Sequence, residues 1–257
     1  MQFELPGSDG RPVRAIAHGD EGAPTILVAH GFKGFKDWGM FPWVCDQLAE
    51  AGLRAVRFDF SHNGVETTDF DRLDLFLLDT PSRHQADLRA LADAIDGPLG
   101  LLGHSRGGGD VIRFAASEPR VQVVATLASV ATTDVEVPDR EKHLRESGYY
   151  PFPNARTKQL MPVGRHAFED GAAHAGAIEE AAAALDCPLL LVHGDADASV
   201  PIDAQQRLAA AQPAADVLTI EGAGHTFGAV HPFAGSTPHL DAAMARIIPF
   251  FREHLGT

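Results

Sequence analysis

The stretch that most constrains the fold covers residues 99–110, with the sequence LGLLGHSRGGGD. Its apolar start is long enough for a buried strand, and a helical pattern continues past Gly109 with Val111 and Phe114. Ser105 lies between the two in the pattern G-x-S-x-G. A glycine-rich turn that merely contains a serine also fits these five residues. The strand before and the helix after favour a sharp turn that lifts the serine hydroxyl out of a sheet.

Composition and charge restrict the class of protein. The chain has 257 residues, 45% of them hydrophobic and 22% charged, which predicts one domain over residues 1–257 with one large core. The net charge of −14 argues against nucleic acid or an anionic membrane surface as a partner. The first residues carry no basic, apolar leader pattern, and no run of eighteen apolar residues occurs, so we expect a cytoplasmic protein without membrane association. Cys45 and Cys187 are predicted to be free thiols without a metal or redox role.

Apolar runs of strand length alternate with helical patterns along most of the chain. Such alternation is typical of a parallel sheet with helices on both faces. Two short N-terminal strands, residues 2–5 and 13–18, are predicted to form an antiparallel edge. The sequence therefore predicts an α/β fold with a mostly parallel sheet of about eight strands flanked by helices. The further predicted strands span residues 25–29, 53–60, 99–103, 121–127, 189–192 and 217–220.

Two segments interrupt this alternation. Residues 64–80 show no clear period, and Ser82 with Gln85 three residues later predicts a capping box that starts the next helix. Residues 131–184 contain four prolines and charged patches, and we interpret them as a small lid insertion. The aromatic residues of this insertion either line a pocket or pack the lid to its body; they are Tyr149, Tyr150, Phe152 and Phe168.

An acid and a histidine follow two later strands. A serine hydroxyl becomes a good nucleophile only when a base removes its proton and a third group orients that base. Asp195 and Asp197 come after the strand at 189–192, and His225 comes after the strand at 217–220. Because the carboxyl ends of parallel strands meet at one edge of a sheet, we expect these side chains to approach Ser105.

Four motifs in this order resemble those of the α/β-hydrolases, over nearly the whole chain. They are His30-Gly31-Phe32, the G-x-S-x-G stretch around Ser105, His193-Gly194-Asp195-Ala196-Asp197 with Val200-Pro201, and Gly224-His225. Within that superfamily the chain is similar to small bacterial serine hydrolases related to dienelactone hydrolase and to carboxyl and feruloyl esterases. The resemblance implies the α/β-hydrolase fold, with Ser105 as nucleophile, His225 as general base and Asp197, rather than Asp195, as orienting acid. It also implies an oxyanion hole built from the main-chain N–H groups of Phe32 and Arg106.

Other residues near the motifs receive weaker predictions. The Arg106 side chain either binds a substrate carboxylate at the pocket edge or turns away to pair with an acid such as Asp59 or Asp110. Tyr149 and Tyr150 are candidate substrate-binding residues. The remaining histidines near the motifs are expected to play supporting roles, with His30 bracing the oxyanion loop; they are His30, His62, His104 and His193.

The expected activity is hydrolysis of small to medium carboxylic esters through an acyl-enzyme, without metal or organic cofactor. The partner is thus a small-molecule ester, while the oligomeric state stays open. Ser105 at the turn excludes the cysteine and aspartate nucleophiles of related enzymes. The same three residues also serve acyltransferases, peptidases or amidases, and perhydrolases, and a ligand-binding protein could keep the scaffold without catalysis.

Overall fold

The computed structural model describes residues 1–67 and 69–256. Thr68, inside the segment predicted to be irregular, and Thr257, the last residue of the predicted domain, lie outside the described residues. An eight-stranded sheet runs through the molecule in the order β1-β2-β4-β3-β5-β6-β9-β10. Its strands are β1 (Gln2–Pro6), β2 (Pro12–His18), β3 (Thr25–Ala29), β4 (Arg54–Asp59), β5 (Leu99–His104), β6 (Val121–Leu127), β9 (Leu189–Gly194) and β10 (Asp216–Ile220).

The strand directions agree with the prediction. Strand β1 pairs antiparallel with β2, and β2 antiparallel with β4, whereas all pairings from β4 to β10 are parallel. The predicted α/β fold with an antiparallel edge is therefore confirmed. Every residue of β3 and β5 is buried, because helices cover the sheet on both faces.

Helices form the outer layers. Helices α1 (Phe41–Glu50) and α9 (Pro238–Leu255) pack on one face of the sheet, and α3 (Pro81–Asp93), α4 (Arg106–Ala115), α7 (Ala177–Ala183) and α8 (Asp203–Ala211) pack on the other. None of the helices in the described ranges combines the length and apolar character that crossing a membrane requires. The two thiols, Cys45 and Cys187, are both free.

The predicted capping box at the start of α3 is wrong. Thr80 is the N-cap, its side chain accepts from the N–H of Arg83, and Pro81 occupies the first helical position. Proline suits that position because its ring already has a helical φ and the N–H it lacks has no partner there. The Ser82 hydroxyl donates instead to Asp170, 2.6 Å away.

The irregular segment before α3 contains one short helix, α2 (Leu73–Phe76). It packs beside the insertion, in a cluster of buried residues that contains Phe35, Phe70, Phe76 and Met161. This cluster connects the loop after β3 with the hairpin of the insertion.

The insertion at residues 131–184 is more regular than its sequence suggests. It contains α5 (Arg140–Ser147), an antiparallel hairpin of β7 (Tyr149–Pro153) and β8 (Leu160–Gly164), α6 (Arg165–Ala173) and α7. In α7, Ile178 and Ala182 are buried in the main core, so this helix is part of the layer over the sheet. The division into one domain with a lid stays a prediction.

Candidate active site

Ser105 occupies the turn between β5 and α4. Its backbone has φ 56° and ψ −122°, a region that side-chain-bearing residues adopt only when the surrounding structure enforces it. Close packing supplies that constraint. A Cβ at Gly103 would collide with the carbonyl of Gly107, and one at Gly107 would collide with the carbonyls of Ala29 and His30. The glycines of the motif thus let β3, β5 and α4 approach closely enough to hold the serine in its strained conformation.

Ser105, His225 and Asp197 come together at the carboxyl edge of the sheet, as the sequence predicts. His225 Nε2 lies 3.0 Å from Ser105 Oγ, and His225 Nδ1 lies 2.7 Å from Asp197 Oδ2. With the Nδ1 proton donated to Asp197, Nε2 of the neutral ring is free to accept the serine proton. The arrangement can therefore move a proton away from the serine oxygen.

The acid loop after β9 distinguishes the two candidate carboxylates. Asp197 Oδ1 accepts from the N–H groups of Ser199 and Val200 at 2.8 and 2.9 Å, which leaves Oδ2 facing His225. Burial raises the pKa of Asp197, but the N–H of Val200 and the His225 ring outweigh it, and the pKa lies below its ordinary value. Asp195 is exposed, and its Oδ1 accepts from the N–H of Gly222. The structure thus brings Asp197, and not Asp195, to the histidine.

The loop after β3 lies against the serine. A Cβ at Gly31 would come within 2.8 Å of Ser105 Cβ, so the chain passes directly over the nucleophile candidate. Arg106 is the first residue of α4, and the N–H groups of a first helical turn have no partner within the helix. Phe32 and Arg106 both line the cavity beside Ser105. Within the described ranges, neither N–H has a protein acceptor.

Buried histidines support this region through hydrogen bonds, and burial keeps two of them, His30 and His104, neutral. Burial lowers the pKa of His30 to about 3, and its Nδ1 donates to the carbonyl of Gly31 at 2.9 Å. Burial also lowers the pKa of His104 to about 3, and its Nε2 donates to the carbonyl of His225 at 3.0 Å. His193 donates to the Val200 carbonyl at 2.8 Å, and His62 lies 2.8 Å from the Ser61 hydroxyl. All four histidines occupy the supporting positions expected of them.

The acids named as partners of Arg106 are corrected. Arg106 Nη2 donates to Asp79 Oδ2 at 2.6 Å, whereas Asp59 lies against Lys36 and Asp110 against His84. Asp79 is contributed by the loop before α3, inside the segment that shows no periodicity. No local pattern in the sequence indicates this pairing.

A buried network extends from Arg106 away from the serine. Asp79 Oδ1 lies 2.8 Å from His84 Nε2, and Asp110 Oδ2 lies 2.7 Å from His84 Nδ1. Burial lowers the pKa of His84, but the charges of Asp79 and Asp110 outweigh it and raise the pKa to about 9. His84 is therefore an imidazolium at neutral pH. The network consists of two cations and two carboxylates, which balance.

A cavity of about 430 Å³ opens beside Ser105. Its walls are mainly apolar, with Phe32, Phe76, Phe152 and Phe168 among the lining residues. Lys33 and Arg106 also line it, and sequence reasoning did not single out Lys33.

Tyr149 and Tyr150 are not among the described residues that line the cavity, so their predicted contact with substrate is corrected. Phe152 and Phe168 form the wall there. The ring of Tyr150 packs instead against His143, with centroids 5.0 Å apart, and against Phe152 at 4.8 Å. These contacts belong to packing within the insertion.

Fold and site together define a class of protein, and comparison with known proteins agrees. The model of the alpha/beta hydrolase family matches residues 26–236, and the chain belongs to this family. No curated protein sequence matches the chain.

Several solved structures share the fold at low sequence identity. Est1E from Butyrivibrio proteoclasticus, solved with ferulic acid bound, is 19% identical with a TM-score of 0.77, over 98% of this chain and 99% of that one. A monoacylglycerol lipase from Paleococcus ferrophilus is 15% identical with a TM-score of 0.74, over 94% and 99%. The esterase domain of a Rhodothermus marinus protein is 19% identical with a TM-score of 0.70, over 100% and 99%. The family model confirms the predicted superfamily, and these structures share its fold.

Proposed function

We propose that the protein is a serine carboxyl-ester hydrolase. The observation that carries the proposal is the hydrogen-bonded series Asp197–His225–Ser105, which ends at a mainly apolar cavity. Beside it lie two main-chain N–H groups that have no acceptor among the described residues. Each part answers one requirement of acyl transfer: a nucleophile, a base held in one tautomer and donors for the developing oxyanion.

The reaction has two halves. Ser105 Oγ forms a bond to the ester carbonyl carbon as its proton moves to His225 Nε2, and the carbonyl electron pair moves onto oxygen. The N–H groups of Phe32 and Arg106 stabilise that oxyanion; loss of one such donor typically lowers the rate about 100- to 1000-fold. The oxyanion collapses, the bond to the alcohol oxygen breaks, and His225 gives its proton to the leaving alcohol.

Water then releases the acid. His225 takes a proton from a water molecule whose oxygen attacks the acyl carbon, and the second oxyanion collapses by breaking the bond to Ser105 Oγ. The serine oxygen recovers its proton from His225, so the protein returns to its starting state. Asp197 keeps its charge throughout and stabilises the imidazolium of each half-reaction.

The cavity favours small to medium substrates with an apolar or aryl group. Its volume lies within the usual range of ligand pockets, and its phenylalanine walls suit apolar surface. The ferulic acid bound by Est1E, an aryl acid, is consistent with such a wall in a protein of the same fold.

The test is hydrolysis of p-nitrophenyl esters from acetate to palmitate, with Ser105→Ala as the paired control. We expect turnover to peak at short or medium acyl chains and to disappear in the variant. Labelling by a fluorophosphonate probe adds a second measurement, because a ligand-binding protein without catalysis lacks an activated serine. Absence of turnover and of labelling, or activity that survives in Ser105→Ala, contradicts the proposal.

A further inference from the structure

Two cationic side chains line the cavity beside Ser105, and they differ in what neutralises them. The Lys33 ammonium lies 5.5 Å and the Arg106 guanidinium 5.1 Å from the centroid of the Phe32 ring. Both cations therefore reach the same wall of the cavity. Which of them can attract a charged substrate depends on their other contacts.

The charge of Arg106 is balanced inside the protein. Its guanidinium donates to Asp79, and the carboxylate of Asp79 is shared with the His84 imidazolium, which Asp110 balances on its far side. Asp79 and His84 are almost completely buried, so solvent screens this pairing little. An incoming anion would have to compete with a carboxylate that is already in place.

Lys33 has no such partner. Its Nζ donates to the carbonyl of Pro153 at 3.0 Å, and across residues 1–67 and 69–256 no carboxylate oxygen lies within 4.0 Å of it. An ammonium has three donors, so two of them stay available. Burial alone lowers the pKa of Lys33, which is what a cation half removed from water without a counter-charge should show.

The loop holds Lys33 close to the reacting groups. The N–H of Gly34 donates to the carbonyl of Gly31 at 2.9 Å and closes a turn around Phe32 and Lys33. Lys33 has a φ of 57° in this turn, directly after the residue whose N–H we assign to the oxyanion hole. The side chain then bridges to Pro153 at the end of β7.

We propose that Lys33 is a specificity-determining residue that binds a carboxylate carried by the ester substrate. This inference rests on the proposed function and adds a substrate class to it, namely monoesters of dicarboxylic acids, or esters formed at the hydroxyl group of a hydroxy acid whose carboxylate stays free. The carboxylate takes the two free donors of the ammonium and supplies the counter-charge that Lys33 lacks.

The experiment compares matched anionic and neutral esters. Mono-p-nitrophenyl glutarate against p-nitrophenyl pentanoate places the carboxylate on the acyl side, and 4-carboxyphenyl acetate against phenyl acetate places it on the alcohol side. In Lys33→Met we expect the ratio of kcat/KM for anionic over neutral ester to fall about tenfold in at least one pair, as loss of a charge-assisted hydrogen bond predicts. Lys33→Arg should keep that ratio within about threefold, because it keeps the charge.

The control is Lys142→Met, which removes an exposed lysine of α5 and changes the net charge equally. Ratios that stay constant in Lys33→Met overturn the inference, as does an equal fall in Lys142→Met. A role limited to the Pro153 contact lowers both esters together and also leaves the ratio constant. If Lys33→Met does not fold, Lys33→Gln is judged by the same ratio. Wild-type protein that turns over none of the four esters contradicts the proposed function, whereas turnover with a constant ratio contradicts this inference alone.

Discussion

Two histidines of this molecule lie at the same distance from a carboxylate oxygen and have different surroundings. His225 is 2.7 Å from Asp197, and His84 is 2.7 Å from Asp110. The second ring nitrogen of His225 faces the hydroxyl of Ser105, while that of His84 faces a second carboxylate, Asp79. The His225 side chain is 21% exposed at the cavity, whereas that of His84 is 0% exposed.

The group at the second ring nitrogen determines what such a histidine–carboxylate pair can do. A hydroxyl can give its proton to the imidazole and later recover it, so His225 can cycle between neutral and charged forms. Two carboxylates hold His84 in its charged form, with the pKa raised to about 9. The His225 pair therefore suits proton transfer, and the His84 pair suits fixed ionic support of the wall that carries Arg106.

The largest effect on activity is expected at the carboxylate of the first pair. Asp197→Asn should lower kcat about 10⁴-fold, as the corresponding change does in serine proteases, because an amide no longer stabilises the imidazolium and favours the wrong tautomer. Initial rates with a p-nitrophenyl ester measure this. Asp195→Asn is the matched control and should stay within about threefold. Equal losses of kcat in the two variants would show that activity depends on the acid loop as a whole rather than on the Asp197 carboxylate.

A change at His84, in the second pair, should lower the free energy of unfolding. His84→Gln leaves two buried carboxylates without their shared cation, and breaking a buried ion pair costs about 3–5 kcal/mol. We expect the midpoint of thermal unfolding to fall by about 6–20 °C. His174→Gln is the matched control, since His174 and Asp170 lie 3.7 Å apart at 39% and 22% exposure and such pairs contribute under about 1 kcal/mol. A shift of His84→Gln no larger than that of the control would refute the structural role.

The pH dependence of stability sharpens the same contrast. Because the folded pKa of His84 is about 9 and its ordinary value is 6.5, its contribution is complete below about pH 6.5 and is lost as the pH rises through 9. The raised pKa corresponds to a contribution of about 3 kcal/mol. Urea unfolding at several pH values between 6 and 10 should show this loss in the wild type and not in His84→Gln. Parallel curves for the two proteins would contradict a charged His84.

The smallest effect on activity is expected at a third histidine, His104, whose side chain forms a hydrogen bond with the main-chain carbonyl of His225. His104→Phe removes the hydrogen bond to the His225 carbonyl while keeping a ring of similar size. Loss of one neutral hydrogen bond corresponds to about 1 kcal/mol, so we expect kcat to fall about fivefold. The pH profile of kcat should keep its shape, because His104 is neutral at every pH of the assay. A loss comparable to that of Asp197→Asn would mean that His104 takes part in proton transfer.

Positions that depend on local sequence agree with the prediction. The strands, the turn at Ser105 and the positions of Asp197 and His225 all depend on short patterns next to strand ends. The network around His84 could not be predicted this way, because Asp79, His84 and Asp110 meet only after the loop before α3 folds over α4. Lys33 has no local signal for a similar reason, since what distinguishes it is that no carboxylate of the described residues lies beside it in three dimensions.

The structure differs from the sequence prediction at two further places, the start of α3 and the insertion, and each difference has a local cause. At the start of α3, Pro81 was a stronger signal than the Ser82–Gln85 spacing, and Thr80 before it is the N-cap. In the insertion, an aromatic-rich stretch does not reveal how far along a strand the cavity extends. Phe152 and Tyr150 are two positions apart in β7 and share one face of the strand, but only Phe152 of the two lines the cavity, whereas the Tyr150 ring packs against His143.

The distance along the chain between Ser105 and His225 has a consequence for synthesis. They are separated by 120 positions, and Asp197 lies closer to His225 than to Ser105 along the chain. At about 5–20 residues per second, the ribosome needs about 6–24 s to extend the chain from the serine to the histidine. A nascent or prematurely terminated chain thus carries Ser105 without His225. The hydrogen-bonded series on which the proposed function rests can form only when the last strand and its following loop have been made and folded.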